Sequence, residues 1–236
     1  MKIKTSAIVL AAGRGSRMKT NVHKQFLLLG GKPILYYCLK TFEDSFIDEI
    51  VLVTGEGEIA YCHREIIEKY DFHKVKQIVA GGEERYHSVY LGLQAISECD
   101  YVFIHDGARP FITEEILERG YETVQRENAC VIGMPVKDTI KLADESGYTV
   151  DTPRRDLLWM IQTPQIFSFD LVKRAYGDFL KKEKKIAEEG IQITDDAMVV
   201  EHFTNTSVKL VEGSYRNIKI TTPEDLVIAD IFLKNL

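Results

Sequence analysis

Short apolar runs alternate with amphipathic stretches through the first half of the chain. Residues 7–10 (Ala-Ile-Val-Leu) are too few for a helix and suit a strand buried on both faces. The same pattern returns at residues 48–54, 75–80, 101–105 and 129–136. Between these runs, apolar residues fall at helical spacing. Residues 34–42 follow Pro33 at a first turn, residues 58–70 alternate charged and apolar positions, and residues 88–96 place Val89, Leu93 and Ile96 on one face. A further helix runs from an N-cap at Thr113 to about Glu127. Strands alternating with helices in this way predict an α/β fold, a mostly parallel twisted sheet flanked by helices, with its ligand outside the carboxyl ends of the strands.

The pattern breaks after Val136. Residues 139–142 and 148–150 alternate with period two around Asp144-Glu145-Ser146-Gly147, which predicts a protruding β-hairpin arm. A lone hairpin is marginal in water, so the arm must lean on its own sheet or on a second copy of the chain. Residues 159–167 then return to the core, residues 169–185 and 194–202 read as helices, and residues 208–211 and 218–221 as the last strands. Thr222 caps a final helix that Pro223 starts. With no internal repeat or low-complexity linker, residues 1–236 read as one domain carrying an arm subdomain at 137–163.

Composition narrows the ligand. A 45% hydrophobic content over 236 residues supports one large core, and a net charge of −6 lacks the basic excess of a nucleic-acid binder. Any anionic ligand must be met by local cations. Cys38, Cys62, Cys99 and Cys130 lie far apart, which argues against a zinc site or a disulfide framework. No run approaches the ~18 apolar residues of a membrane span, and Met1-Lys2-Ile3-Lys4 leads into a core strand, so the chain is expected in the cytoplasm.

The candidate chemistry begins where the first strand ends, at Ala11-Ala12-Gly13-Arg14-Gly15-Ser16-Arg17-Met18, followed by Lys24-Gln25. Glycines there let backbone N–H groups approach a phosphate, and Arg17 and Lys24 add two cations. The dinucleotide fingerprint fails at Met18, where a third glycine is needed, and the Walker pattern fails at Gly31-Lys32-Pro33. On these residues alone the loop is either a polyanion site or a glycine-rich turn with solvated charges. Gly81-Gly82 and Asp106 fall at the ends of two further strands, on the edge where a ligand is expected.

Eight stretches in order carry a resemblance along most of the chain: residues 11–18, Lys24-Gln25, Gly81-Gly82 with Arg85 and Ser88-Val89, His105-Asp106-Gly107-Ala108-Arg109-Pro110, Pro135-Val136-Lys137-Asp138-Thr139, Thr163-Pro164-Gln165, Ile193-Thr194-Asp195-Asp196-Ala197, and Asn217-Ile218-Lys219. The chain resembles the 2-C-methyl-D-erythritol 4-phosphate cytidylyltransferases of the non-mevalonate isoprenoid pathway. The resemblance implies a Rossmann-like nucleotidyltransferase fold and the transfer of CMP from CTP to a phosphorylated polyol, with Mg²⁺ and release of pyrophosphate. It assigns CTP binding to Ala11, Ala12, Gly13, Arg14, Gly15, Gly82, Glu83, Ser88 and Asp106, with Asp106 also the candidate metal ligand. Arg17 and Lys24 would stabilise charge on the α-phosphate, in agreement with the reading of the loop itself. Arg155 and Lys219 would hold the substrate phosphate, with Thr139, Arg109, Thr163 and Thr194 nearby. Because the family's arm reaches into a partner's site, the resemblance implies a homodimer.

The attacking phosphomonoester has a second pKa near ~6, so it is largely dianionic and needs no general base. The related ribitol-5-phosphate cytidylyltransferases share the loop, the lysine and Thr-Pro-Gln, and a CTP-binding sensor without catalysis is a rival of another class. Three positions depart from the family: Glu83 replaces Asp, His23 replaces the proline before the lysine, and Arg216 replaces an acidic residue and adds charge beside Lys219.

Overall fold

The structure, a computed structural model, describes residues 2–13 and 23–235. Arg14, Gly15 and Arg17 therefore lie outside the described residues. The first strand, β1 (Thr5–Ala11), is followed by a small hairpin, β2 (Leu28–Leu29) and β3 (Lys32–Pro33), and by α1 (Ile34–Asp44). Next come β4 (Glu49–Thr54), a short helix α2 (Ile59–Tyr61) that widens into π-helical turns over Cys62–Glu68, and β5 (Val75–Ala80). The pattern continues through α3 (Arg85–Ala95), β6 (Tyr101–Asp106), α4 (Glu114–Glu127) and β7 (Ala129–Pro135). After the arm strands β8 (Leu142–Ala143) and β9 (Thr149–Asp151) come β10 (Trp159–Ser168), α5 (Phe169–Glu188), α6 (Asp196–Phe203), β11 (Lys209–Glu212) and α7 (Pro223–Lys234).

Seven strands form one sheet in the order β11-β7-β10-β6-β1-β4-β5, all parallel except β10, which runs antiparallel to both neighbours. Helices cover both faces. Leu35, Leu39 and Phe42 of α1 pack with Ile116, Leu117 and Val124 of α4 on one side. Val89 and Leu93 of α3 pack with Val172 and Phe179 of α5 and Val199 and Val200 of α6 on the other. This double covering is why the inner strands read as continuous apolar runs instead of alternating ones. The register brings Ala11 opposite Thr54 and Leu10 opposite Asp106, so β1, β4 and β6 end level at one edge.

Several local readings change. Residues 218–221 form no ladder. Ile220 is buried with Leu29, Ile34, Phe111 and Ala229 in a satellite cluster, so its alternation with Ile218 reflects packing beside α7 and not a sheet face. The arm hairpin pairs Leu142 with Asp151 and Ala143 with Thr149, leaving Thr139 outside the pairing. Thr113 has the extended backbone of an N-cap, but its side chain makes no capping bond; its carbonyl receives Ile116 and Leu117 instead. The helix expected over 194–202 runs from Asp196 to Phe203 and is capped by Asp195, which accepts the Met198 N–H at 3.0 Å. Thr222 caps α7 as expected, and Asp225 completes a capping box with it.

Candidate active site

The level strand ends open into a cavity of about 610 Å³. Its walls include Ala11, Ala12, Gly13, Lys24, Gly82, Glu83, Ser88, Asp106 and Lys219. Two close approaches shape it. A Cβ on Gly81 would lie 2.4 Å from Ala12 Cβ and 2.8 Å from Ser88 Oγ, so only glycine lets the β5 turn meet the end of β1. Ser88, in the first turns of α3, accepts the Gly82 N–H at 3.1 Å and donates to the Glu84 carbonyl at 3.3 Å, which fixes the 82–84 turn. Buried Gln25 donates to the Ala11 carbonyl and brings Lys24 back beside the first strand.

Asp106 holds the centre of the polar wall. Its Oδ2 lies 2.8 Å from Lys219 Nζ and 3.9 Å from Arg109 Nε, while its Oδ1 receives Arg85 Nε at 3.3 Å. Burial opposes its ionisation, but the charges of Arg85, Lys219 and Arg109 outweigh that and hold the carboxyl well below the usual range. Arg85 is itself engaged, both terminal nitrogens donating at 2.8 Å to the fully buried Asp196, which also receives the Tyr176 hydroxyl. Lys219 is delivered by Asn217, whose amide donates to Gln162 Oε1 and the Thr163 carbonyl and whose own carbonyl receives Arg109.

Directly beneath Asp106, the Thr163 hydroxyl accepts the Asp106 N–H at 3.0 Å and lies 3.1 Å from His105 Nδ1. His105 Nε2 is 3.2 Å from the Arg109 carbonyl, which can only accept. Nε2 is therefore assigned a proton. Burial pushes the pKa down to about 4, so the imidazole is neutral at neutral pH and Nδ1 is left to accept from the Thr163 hydroxyl. The Thr163 hydroxyl is thus committed inside the protein, one layer below the cavity.

Of the residues singled out from the sequence, Ala11, Ala12, Gly13, Lys24, Gly82, Glu83, Ser88, Asp106 and Lys219 come together, and Arg109 stands behind Asp106. Arg155, Thr139 and Thr194 are not among them. Arg155 is exposed on the arm just after its hairpin, donating to the Lys137 carbonyl at 3.0 Å; Thr139 is exposed on the arm, and Thr194 is exposed before α6. The Arg216 guanidinium donates to the Phe232 and Asn235 carbonyls at the end of α7, partners the sequence reading did not name. The Asp195-Asp196 pair is occupied by the α6 cap and the Arg85 ion pair. The roles of Arg85, Asp196 and Asn217 went unassigned, because their partners lie tens to over a hundred positions away in the chain.

A glycine-bordered cavity large enough for a nucleotide, placed by a doubly wound sheet and walled by Lys24 and Lys219 around Asp106, suits a phosphorylated ligand, and the relatives of the chain give the class, a nucleotidyltransferase. The sequence profile of 2-C-methyl-D-erythritol 4-phosphate cytidylyltransferase (IspD) matches residues 5–235. The chain belongs to that family. It is 52% identical over 230 residues to the 2-C-methyl-D-erythritol 4-phosphate cytidylyltransferase of Lachnospira eligens, covering 97% of this chain and 99% of that one. Among solved structures, 4-diphosphocytidyl-2C-methyl-D-erythritol synthase of Anaerococcus prevotii is similar with a TM-score of 0.85 and 35% identity, over 98% of this chain and 96% of that one. The Francisella tularensis 2-C-methyl-D-erythritol 4-phosphate cytidylyltransferase is similar with a TM-score of 0.77 and 29% identity, over 97% and 99%.

Proposed function

We infer that the chain transfers CMP from CTP to 2-C-methyl-D-erythritol 4-phosphate, giving 4-diphosphocytidyl-2-C-methyl-D-erythritol and pyrophosphate. The observation that carries this reading is the convergence of Lys24, Lys219 and the Gly82 turn on one cavity in a chain of this family. Backbone groups of Ala12 and Gly13 would meet the triphosphate. Backbone groups of the 82–84 turn, whose shape Ser88 holds, would supply the donors and acceptors needed to tell cytosine from uracil. The substrate phosphate arrives as a dianion and attacks the α-phosphorus, so the protein's task is to hold two anions together and neutralise the charge that gathers there. Lys24, with Arg17, takes that task on the triphosphate side and Lys219 on the polyol side.

A divalent cation could be held at Asp106 once Lys219 gives up Oδ2. Mg²⁺ takes one or two carboxylates and fills its other positions with phosphate oxygen and water, and Asp106 presents one ionised carboxylate to the cavity. No group of three metal-ligating side chains occurs among the described residues. Bound there, the ion would supply charge neutralisation to the triphosphate.

The arm supports a homodimer. Tyr148 and Val150 are 74% and 69% exposed on a hairpin too small to stand alone, and Arg155 lies close behind it. We propose that a second copy covers this apolar surface and that Arg155 completes the substrate site of that copy, on one domain of residues 1–236 with its arm at 137–163. A cytoplasmic setting suits four free cysteines and described helices of which none is long and apolar enough to cross a membrane.

Steady-state kinetics of Lys24→Ala tests the assignment. Loss of a preorganised donor to the transition state lowers kcat/KM by about 10²–10³. A change below about fivefold, the scale of an exposed loop cation, would remove Lys24 from the chemistry.

A further inference from the structure

Arg85 differs from the other cations around Asp106 in having no freedom to follow a ligand. Its two terminal nitrogens grip both oxygens of Asp196 at 2.8 Å, and Asp196, fully buried at the start of α6, is held in turn by the Tyr176 hydroxyl from α5. Only Nε remains for Asp106, and it reaches Oδ1 at 3.3 Å. Lys219 meets the other oxygen, but as a point charge on a flexible stem whose side chain is 36% exposed. Arg109 stands back at 3.9 Å with its Nη1 donated to the Asn217 carbonyl. Asp106 thus has one oxygen tied through a rigid chain to two helices and one oxygen paired with a movable lysine.

We propose that Arg85 is a positioning residue for the transfer reaction: clamped by Asp196, it fixes Oδ1 of Asp106 on the cavity wall, so that Lys219 can leave Oδ2 for a bound phosphate without the carboxylate turning. The Asp196 clamp has a second consequence. A guanidinium is a strong bidentate partner for phosphate, and an unclamped Arg85 at the cavity wall would be drawn to the triphosphate. Fork-to-fork pairing with a buried carboxylate satisfies that capacity and neutralises the charge. A buried ion pair is a poor source of net stability, which leaves geometric specification as its use here.

The proposal rests on the cavity being the CTP site, and a double-mutant cycle separates the two. CTP binding by titration calorimetry, kcat with both substrates, and thermal unfolding are measured for wild type, Arg85→Gln, Asp106→Ala and the double variant. Arg85→Gln alone is expected to lower kcat about tenfold or more, but by less than about twofold in the Asp106→Ala background, where no carboxylate remains to be held. Tyr176→Phe, which removes one hydrogen bond from Asp196 and leaves the Arg85 fork, is expected to give a smaller loss with the same dependence on Asp106, and it carries the test if Arg85→Gln does not fold. Losses of equal size in both backgrounds would overturn the positioning role while leaving the cavity's assignment intact. Failure of wild type to bind CTP would overturn both.

Discussion

His105 sits at zero exposure in the middle of the site, and its neutrality has a thermodynamic signature. Its pKa is near 6.5 in the unfolded chain and about 4 in the folded one. Above about pH 6.5 neither state is protonated; between there and about pH 4 the unfolded chain takes up a proton that the folded one refuses. Stability contributed by the neutral imidazole is therefore present at neutral pH and lost as pH falls through that window. Between about pH 7 and pH 5 the loss is about 2 kcal/mol. Urea unfolding at both pH values should show that extra loss in wild type relative to His105→Gln, and parallel pH dependence in the two proteins would contradict the buried neutral assignment. At this scale the sequence was informative where a residue's position in the chain decides its role. Gly13, Gly82 and Asp106 stand at or just past the ends of apolar runs, and a strand end in a parallel sheet is a ligand position whatever its contacts. His105, Thr163 and Arg85 were legible only as motif letters, since what they do depends on partners brought together by folding.

The arm is the element whose role is least contained within one chain. Its strands pair over a few residues, and its side chains face solvent on all sides. If Arg155 serves a partner's site, two individually impaired proteins should repair one another. Arg155→Ala lacks the residue it would lend, and Lys24→Ala lacks one it uses itself. After mixing and subunit exchange, each mixed dimer regains one complete site, and statistical assembly gives about a quarter of wild-type activity. No recovery above the sum of the two parents would place Arg155 outside the neighbouring site. Periodicity foresaw this hairpin but not its register, because a strand without a buried face has little to fix its pairing. The reverse error occurred at residues 218–221, where Ile218 and Ile220 alternate as a strand would while packing in the cluster beneath α7. The π-helical turns at Cys62–Glu68 left no sign in an ordinary helical spacing.

For the whole molecule, the layering follows from the chain's own rhythm: fully apolar strands require helices on both faces, and parallel strands joined by helices place their loops at one edge. That edge gathers the glycine turns, the lysines and the aspartate into a single cavity, so fold and site are one consequence of the same pattern. What periodicity alone could not supply was the antiparallel strand β10, inserted between β6 and β7 from far along the chain. It carries Thr163 under Asp106 and Gln162 beside Asn217, and thereby braces the wall that presents Asp106 and Lys219. Whether this site joins CTP to methylerythritol phosphate is decided by pyrophosphate release from CTP and Mg²⁺ with 2-C-methyl-D-erythritol 4-phosphate or ribitol 5-phosphate as acceptor. Release is expected with the methylerythritol substrate and little with ribitol 5-phosphate. Release with ribitol 5-phosphate alone, or CTP binding with release from neither, would contradict that assignment.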